Sequence, residues 1–478
     1  MTRKDFAQLS LLGASAAFIP AAVLKAAGNT YVSQRPLPAN RKFRSEAVDA
    51  LIEEMKKNLA DAEIAWMFEN CFPNTLDTTV FYQMKDGVPD TYVITGDIDA
   101  MWLRDSSAQV HAYLPLCQSD KHLSSMVEGV IRRQTQYILL DPYANAFYKN
   151  SQKISQWKSD DTTMKPGVHE RKWELDSLCY CIRLAYQYWK ISGNAAAFTD
   201  QWNDAMRLVL STMREQQRKN GKGSYHFSRR TETQSDTLPG GGYGAPWKPT
   251  GMICSAFRNS DDAAMYLYNI PENMFASTSL KQLAEICQAT GDKNKLTQQC
   301  AELAGEIDSA IVQYGIVKHP KYDLIYAYEC DGYGNYLMMD DAGLPGLVGI
   351  PYLRNDIMVD EVYNNTRRFA LSSANPYFYQ SAVAEGTGSP HLAWKGDMIW
   401  PMGIVARAIT STDNEEIKKC INMLKSTHAG KGFMHEGFKK DNPADFTRPW
   451  FAWANSFFGE MIWKVYTERK ILLTQNSR

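Results

Sequence analysis

No charge of one sign dominates this chain: its 478 residues carry 52 Lys and Arg against 53 Asp and Glu, a formal net charge of −1. Nucleic acid and anionic membrane surfaces are therefore poor partners, because neither would meet a broad cationic face. Metal-binding patterns are missing too. The nine cysteines include no Cys-x-x-Cys pair and the eight histidines no His-x-x-x-His, so no zinc site, redox centre, built-in metal or cofactor is expected. Cys71, Cys117, Cys179, Cys181, Cys254, Cys287, Cys300, Cys330 and Cys420 are scattered, and an odd count leaves at least one unpaired in a monomer. A chain this large needs no disulfide staples, so buried free thiols are expected. Long apolar runs are absent beyond the N-terminus. Residues 9–24, uncharged and alanine-rich after Arg3 and Lys4, fall short of the roughly 20 residues of a membrane span. Small residues Ala26, Ala27 and Gly28 follow, which reads as a secretory signal over residues 1–28. Export, with the periplasm as destination and secretion as the alternative, is expected without a stable membrane anchor. A twin-arginine signal would need a second arginine beside Arg3, and no cysteine near the cleavage region offers a lipid anchor.

What is present is a large apolar and aromatic fraction, 44% and 12%, enough for a substantial core. After a linker-like stretch at 29–40, helical periodicity dominates to about residue 470, and 471–478 reads as a tail. Val48, Leu51, Ile52, Met55 and Leu59 make one stripe, and Leu123, Met126, Val127 and Val130 a second. Leu175, Leu178, Cys179, Ile182, Tyr186 and Trp189 make a third, and Ala454, Phe457, Phe458, Met461 and Val465 a late one. Further amphipathic segments fall near 102–117, 198–217, 261–270, 276–290, 293–313, 361–371, 396–410 and 414–427. Strand signals are few and short. About twelve helices suit six hairpins closed into a ring, an all-α single domain over 41–470.

The densest chemistry lies at residues 96–109, Gly-Asp-Ile-Asp-Ala-Met-Trp-Leu-Arg-Asp-Ser-Ser-Ala-Gln. Three carboxylates, an arginine and a tryptophan in fourteen positions fit a pyranose, whose C–H face an aromatic ring covers and whose hydroxyls bind charged groups. The plainer alternative makes Trp102 and Leu103 core residues, with Arg104 and Asp105 a solvated pair. Loops beyond this segment are richer than connection demands. Residues 237–250 carry Pro239, Gly240, Gly241, Gly242, Tyr243 and Trp247; 326–352 hold Glu329, Asp331, Asp340 and Asp341 among glycines; and 385–391 precede Trp394 and Trp400. Glycine–aspartate clusters of this kind also serve as simple turns.

Together, residues 96–109, Glu-Arg-Lys-Trp-Glu-Leu-Asp-Ser at 170–177, Phe-Arg-Asn-Ser-Asp-Asp at 257–262, residues 386–391 and His435-Glu436 resemble glycoside hydrolase family 125. That family comprises metal-independent exo-α-1,6-mannosidases, and the resemblance covers residues 40 to 470. It implies an (α/α)6 toroid with the site at one mouth, an inverting mechanism and release of terminal mannose from α-1,6-linked oligosaccharides.

An inverting glycosidase needs a carboxylic acid to protonate the leaving oxygen and a carboxylate to activate water, about 6.5 to 9.5 Å apart. The resemblance places the acid at Asp261 or Asp262. If residues 260–262 open a helix, a capping Asp261 would stay ionised and Asp262 would be the better acid; the choice is left open. Glu436 is the candidate base. Asp99, Leu103, Arg104 and Asp105 are candidates for substrate binding around Trp102, with Arg171, Glu174 and Asp176 as a second wall. Arg258, Asp340, Asp341, His391, Trp394 and Trp400 complete the set, and a monomer is expected. The rival readings are a non-catalytic mannoside-binding protein, a calcium-dependent α-mannosidase on a related ring, and a polysaccharide lyase. The last would call for a cationic cleft that the charge balance does not supply.

Overall fold

The computed structural model describes residues 23–26, 29–291, 295–354 and 360–475. Twelve helices of nine residues or more follow one another among them. They are α1 (Glu46–Asn58), α2 (Ala62–Cys71), α3 (Leu103–His111), α4 (Lys121–Leu140), α5 (Leu175–Ser192) and α6 (Asp200–Gln216), then α7 (Ile270–Thr290), α8 (Leu296–Tyr314), α9 (Glu361–Ala370), α10 (Pro401–Ile409), α11 (Asn414–Thr427) and α12 (Ala452–Glu468). They form two layers. In the inner one α3 packs on α5, α5 on α7, α7 on the single turn Ile350–Leu353, and α10 on α12, which packs back against α3. Ala342 lies against Gly403 of α10 and seals the remaining joint. The chain thus closes as an (α/α)6 ring. Its sixth inner helix is reduced to one turn because Gly343, Pro345, Gly346, Gly349 and Pro351 interrupt helical backbone there.

The layers differ in sequence as they do in burial. Inner helices bury more of their circumference: every residue of α7 from Ile270 to Leu280 is buried. Outer α6 buries one stripe, Trp202, Ala205, Met206, Val209, Leu210 and Met213. Helix starts separate the layers too. All outer helices but α8, which starts at Lys295 without a side-chain cap, begin on such caps, with Ser45, Asp61, Asp120, Thr199, Asp360 and Asp413 accepting backbone N–H bonds within the first turn. Inner α3, α5, α10 and α12 instead start at Trp102, Glu174, Trp400 and Phe451, none of which caps with its side chain.

The strands are two to six residues long and form seven small sheets. Three of these sheets feed inner helices directly: Met101–Trp102 runs into α3, Tyr268–Asn269 into α7, and Met398–Ile399 leads to α10. All nine cysteines are buried free thiols. No described helix is long and apolar enough to cross a membrane.

Two sequence expectations need correction. Residues 261–269 do not form a helix; α7 starts at Ile270, where the Asn269 side chain accepts from Glu272 N and Pro271 sets the first turn. The stretch at 33–40 is no free linker, because Arg35 reaches Asp77 at 2.8 Å and Asp49 at 2.9 Å, and Gln34 N donates to Asn70. A guanidinium buried between two carboxylates pins this segment to the domain. Val23–Ala26 pairs antiparallel with Asn29–Val32, and the rest of the segment read as an export signal lies outside the described residues, as do residues 476–478 of the tail, whose Ile471–Thr474 form a helical turn.

Candidate active site

The N-terminal ends of the inner helices and the loops before them meet around one cavity. Trp102, Arg104 and Asp105 enter it from the start of α3; Asn259, Ser260 and Asp261 from the loop before α7; and Gly343 from the loop before the Ile350–Leu353 turn. His391 and Trp400 enter ahead of α10, while Glu436, Arg448, Phe451 and Trp453 come from the approach to α12 and its first turn; Thr95 and Ile98 complete the wall. Helix N-termini carry partial positive charge, which suits a cavity holding three carboxylates.

Several polar atoms in this wall are buried yet lack hydrogen-bond partners among the described residues: Thr95 Oγ1, Trp102 Nε1, Asn259 Oδ1, Ser260 Oγ and Trp400 Nε1. Each unpaired buried donor or acceptor costs about 1 to 3 kcal/mol, so their gathering in one pocket marks a ligand rich in hydroxyls. Three indoles in the same wall, Trp102, Trp400 and Trp453, offer apolar faces for a sugar ring.

Arg104 organises the floor. Its Nη1 lies 2.8 Å from Glu174 and 3.4 Å from Asp176, its Nη2 3.0 Å from Asp261, and its Nε 3.7 Å from Asp105. One guanidinium thus serves four carboxyls, and burial pushes both Asp105 and Asp176 up to about 6 against the pull of Arg104. Only Asp105 and Asp261 of the four reach the cavity. Glu174 and Asp176 sit behind the wall, fully inaccessible.

Asp261 projects from a tight turn. Its backbone adopts φ 64°, a left-handed conformation that Asp tolerates better than most residues. The turn is closed by Asp261 N to Arg258 O at 2.9 Å and Arg258 N to Asp262 O at 2.8 Å, while Lys172 Nζ donates to Asp261 O at 2.8 Å. This reversal sends the two adjacent carboxyls in different directions. Asp261 is 28% exposed toward the cavity, whereas the Asp262 side chain is buried, 3.5 Å from His391 Nδ1 and outside the lining. The capping argument that favoured Asp262 falls with the missing helix.

Glu436 opens onto the same cavity from a separate hairpin, with Arg448 Nη1 3.4 Å from its Oε1 and Arg448 Nε 3.2 Å from Asp97. Next to it, His435 is buried, stacked on Phe446 at 4.0 Å, and its Nδ1 meets the Arg448 carbonyl at 2.8 Å. Burial lowers its pKa from 6.5 to about 4. A depressed histidine binds fewer protons folded than unfolded, so its stability contribution is complete above pH 6.5 and is lost as pH falls toward 4, on the order of 3 kcal/mol. His435→Asn, which keeps a donor and does not titrate, is expected to flatten the Tm-against-pH curve over that window; identical curves for both proteins would reject this role.

The other residues singled out by sequence lie elsewhere. Asp99 is 76% exposed and pairs with Lys153, and Trp394 is 51% exposed outside the lining. Leu103 is core. Arg171 binds Asp141 at 2.8 Å between Tyr143 and Tyr225, and Arg258 binds Glu329 at 2.5 Å, fixing the loop before α7. Asp340 accepts from the N–H groups of Asp341, Leu347 and Val348, and Asp341 from the Gly343 N–H and the Ser389 hydroxyl, so both are turn residues. Short polar side chains satisfy loop backbone more often than they bind ligand. Sequence reading missed Thr95, Ile98, Asn259, Ser260, Gly343, Arg448, Phe451 and Trp453 as lining residues, although Asn259 and Ser260 stood inside a motif already noted.

Known proteins share this sequence and fold. Residues 61–463 match the family model described as metal-independent alpha-mannosidase, glycoside hydrolase family 125. The Meiotically up-regulated gene 157 protein of Schizosaccharomyces pombe is 40% identical over 93% of this chain and 90% of its own length. A metal-independent α-mannosidase of Streptococcus pneumoniae, solved as a non-productive complex with α-1,6-mannobiose, superposes with TM-score 0.85 at 38% identity over 90% of this chain and all of that one. A bacterial glucoamylase bound to acarbose shares the fold alone, with TM-score 0.52 at 12% identity over 90% of this chain and 57% of its own. The chain belongs to the metal-independent α-mannosidases of glycoside hydrolase family 125 and is a glycoside hydrolase on an (α/α)6 ring.

Proposed function

We propose that the enzyme removes terminal mannose from α-1,6-linked mannosides with inversion, Asp261 acting as general acid and Glu436 as general base. The observation that carries this reading is that these two carboxyls, brought from separate hairpins, open onto one cavity otherwise lined by unpaired polar atoms and indoles. An inverting displacement needs this division of labour: one carboxyl protonates the leaving oxygen while the other removes a proton from water attacking C1 from the opposite face. Arg448 Nη1, 3.4 Å from Glu436 Oε1, holds that carboxyl in place at the cavity wall. Trp102 and Trp400 cover the sugar, and Arg104 and Asp105 bind its hydroxyls. The mannobiose held by the Streptococcus pneumoniae relative supports the linkage. The uncharged run at 9–24 supports export, with the periplasm as destination, and a monomer suffices for a cavity built from one chain.

Proton NMR of α-1,6-mannobiose incubated with the enzyme in EDTA tests the reaction. Initial release of β-mannose, at a rate the chelator leaves unchanged, is expected. Initial α-mannose would overturn inversion, and activity lost to EDTA and restored by calcium would overturn metal independence.

A further inference from the structure

Behind the cavity wall stands a carboxyl that the two-residue mechanism leaves idle. Glu174 is fully inaccessible, yet it is hydrogen-bonded to Asp261 and shares the Arg104 guanidinium with it, at 2.8 Å and 3.0 Å respectively. Its other partners are donors: Asn145 Nδ2 at 3.1 Å from Oε1 and Ser177 Oγ at 2.9 Å from Oε2. Two carboxyls in direct contact, one fully buried and the other 28% exposed, do not both ionise, so the pair retains a proton. The surroundings decide where it rests.

Facing the pair are Arg104 and Asp105 from α3, Asp176 from α5, Glu170 and Lys172 from the segment before α5, and Arg448 from the approach to α12. Burial, with the nearby Asp261 and Asp176 charges, pushes Glu174 well above the ordinary carboxylate range despite Arg104. Burial acts the same way on Asp261 but is outweighed by Arg104 and Lys172, which keep it below that range. The group that must donate a proton is thus the one that holds it less well.

We infer that Glu174 is a positioning residue that stores the catalytic proton and passes it through Asp261 to the leaving oxygen, an inference that rests on the proposed role of Asp261. In this step the Glu174 O–H bond breaks as an Asp261 O–H bond forms. The Asp261 O–H bond then breaks as the glycosidic oxygen gains the proton and its bond to C1 breaks. Glu174 is left ionised, and Arg104, Ser177 and Asn145 are already aimed at that charge. The proton that water yields to Glu436 returns to bulk, and Asp261 and Glu174 are recharged through the open cavity.

The test compares α-1,6-mannobiose, whose leaving oxygen must be protonated, with 2,4-dinitrophenyl α-mannoside, whose leaving group departs without a proton. Glu174→Gln is expected to lower kcat on mannobiose about 100-fold at similar KM and leave the dinitrophenyl rate nearly unchanged. It also leaves Asp261 alone with Arg104 and Lys172, so the alkaline limb of kcat moves to lower pH. Ser177→Ala, which removes one donor from the Glu174 charge, repeats the selective loss in smaller degree and decides the matter if Glu174→Gln does not fold. Equal losses on both substrates with an unmoved alkaline limb, or no loss on mannobiose, would overturn the inference and leave hydrolysis by the wild type standing. A wild type that turns over neither substrate would instead overturn the proposed function.

Discussion

Asp261→Asn lowers kcat on α-1,6-mannobiose by about 10²- to 10⁴-fold, the range over which a positioned acid contributes. The substitution is isosteric, and Asn keeps an oxygen for Arg104 Nη2 and the turn that holds φ 64°, so what it removes is the transferable proton. The neighbouring change behaves differently. Asp262→Asn sits behind the wall at 3.5 Å from His391 and is expected to alter stability while sparing kcat within an order of magnitude. Glu436→Gln falls as far as Asp261→Asn, but on both mannobiose and the dinitrophenyl mannoside, because water must be deprotonated whichever group leaves. Steady-state kinetics of the three variants on both substrates, with Tm measured alongside, separate the roles. Should Asp262→Asn show the larger, leaving-group-selective loss, the acid is Asp262 and the turn geometry has been misread.

That comparison bears on what a sequence carries and what it does not. The motif at 96–109 announced Trp102, Arg104 and Asp105 because aromatic, guanidinium and carboxyl groups at helical spacing are rarely placed together without a ligand or partners. Glu436 emerged in the same way, through the order of several motifs. The pair Asp261-Asp262 did not resolve, because which carboxyl faces the cavity depends on one left-handed residue and on loop closure by Arg258 and Glu329. Residue type gives no hint of that choice. Arg171, Asp340 and Asp341 show the opposite error: their chemistry suits a sugar, but their bonds go to Asp141 and to loop N–H groups. One signal was available and unused. All outer helices but α8 start on Ser, Thr or Asp caps and most inner ones on Trp, Glu or Phe, so a helix whose cap position is filled by an aromatic residue points to the mouth of the ring. That rule would have added Phe451 and its neighbour Trp453.

Arg104→Met has the largest expected effect on folding, about 3 to 5 kcal/mol, because it leaves the carboxyls of Glu174, Asp176, Asp261 and Asp105 without their shared cation. The methionine fills most of the vacated volume, so the loss is electrostatic more than a cavity effect. Its pH dependence follows from the sign of the linkage. Without Arg104 the buried carboxyls titrate further above their unfolded values, so the folded state binds more protons than the unfolded state between those limits. Stability of the variant therefore falls as pH rises through the raised values and recovers as pH drops toward the unfolded range. Urea unfolding of wild type and Arg104→Met at pH 5 and pH 8 is expected to give the smaller difference at pH 5. Because Glu174 then keeps its proton without a cation to receive its charge, activity at pH 5 stays low even where stability has returned. A difference in stability independent of pH would mean that Arg104 supports the ring by packing, and that the four carboxyls do not compete for protons around it.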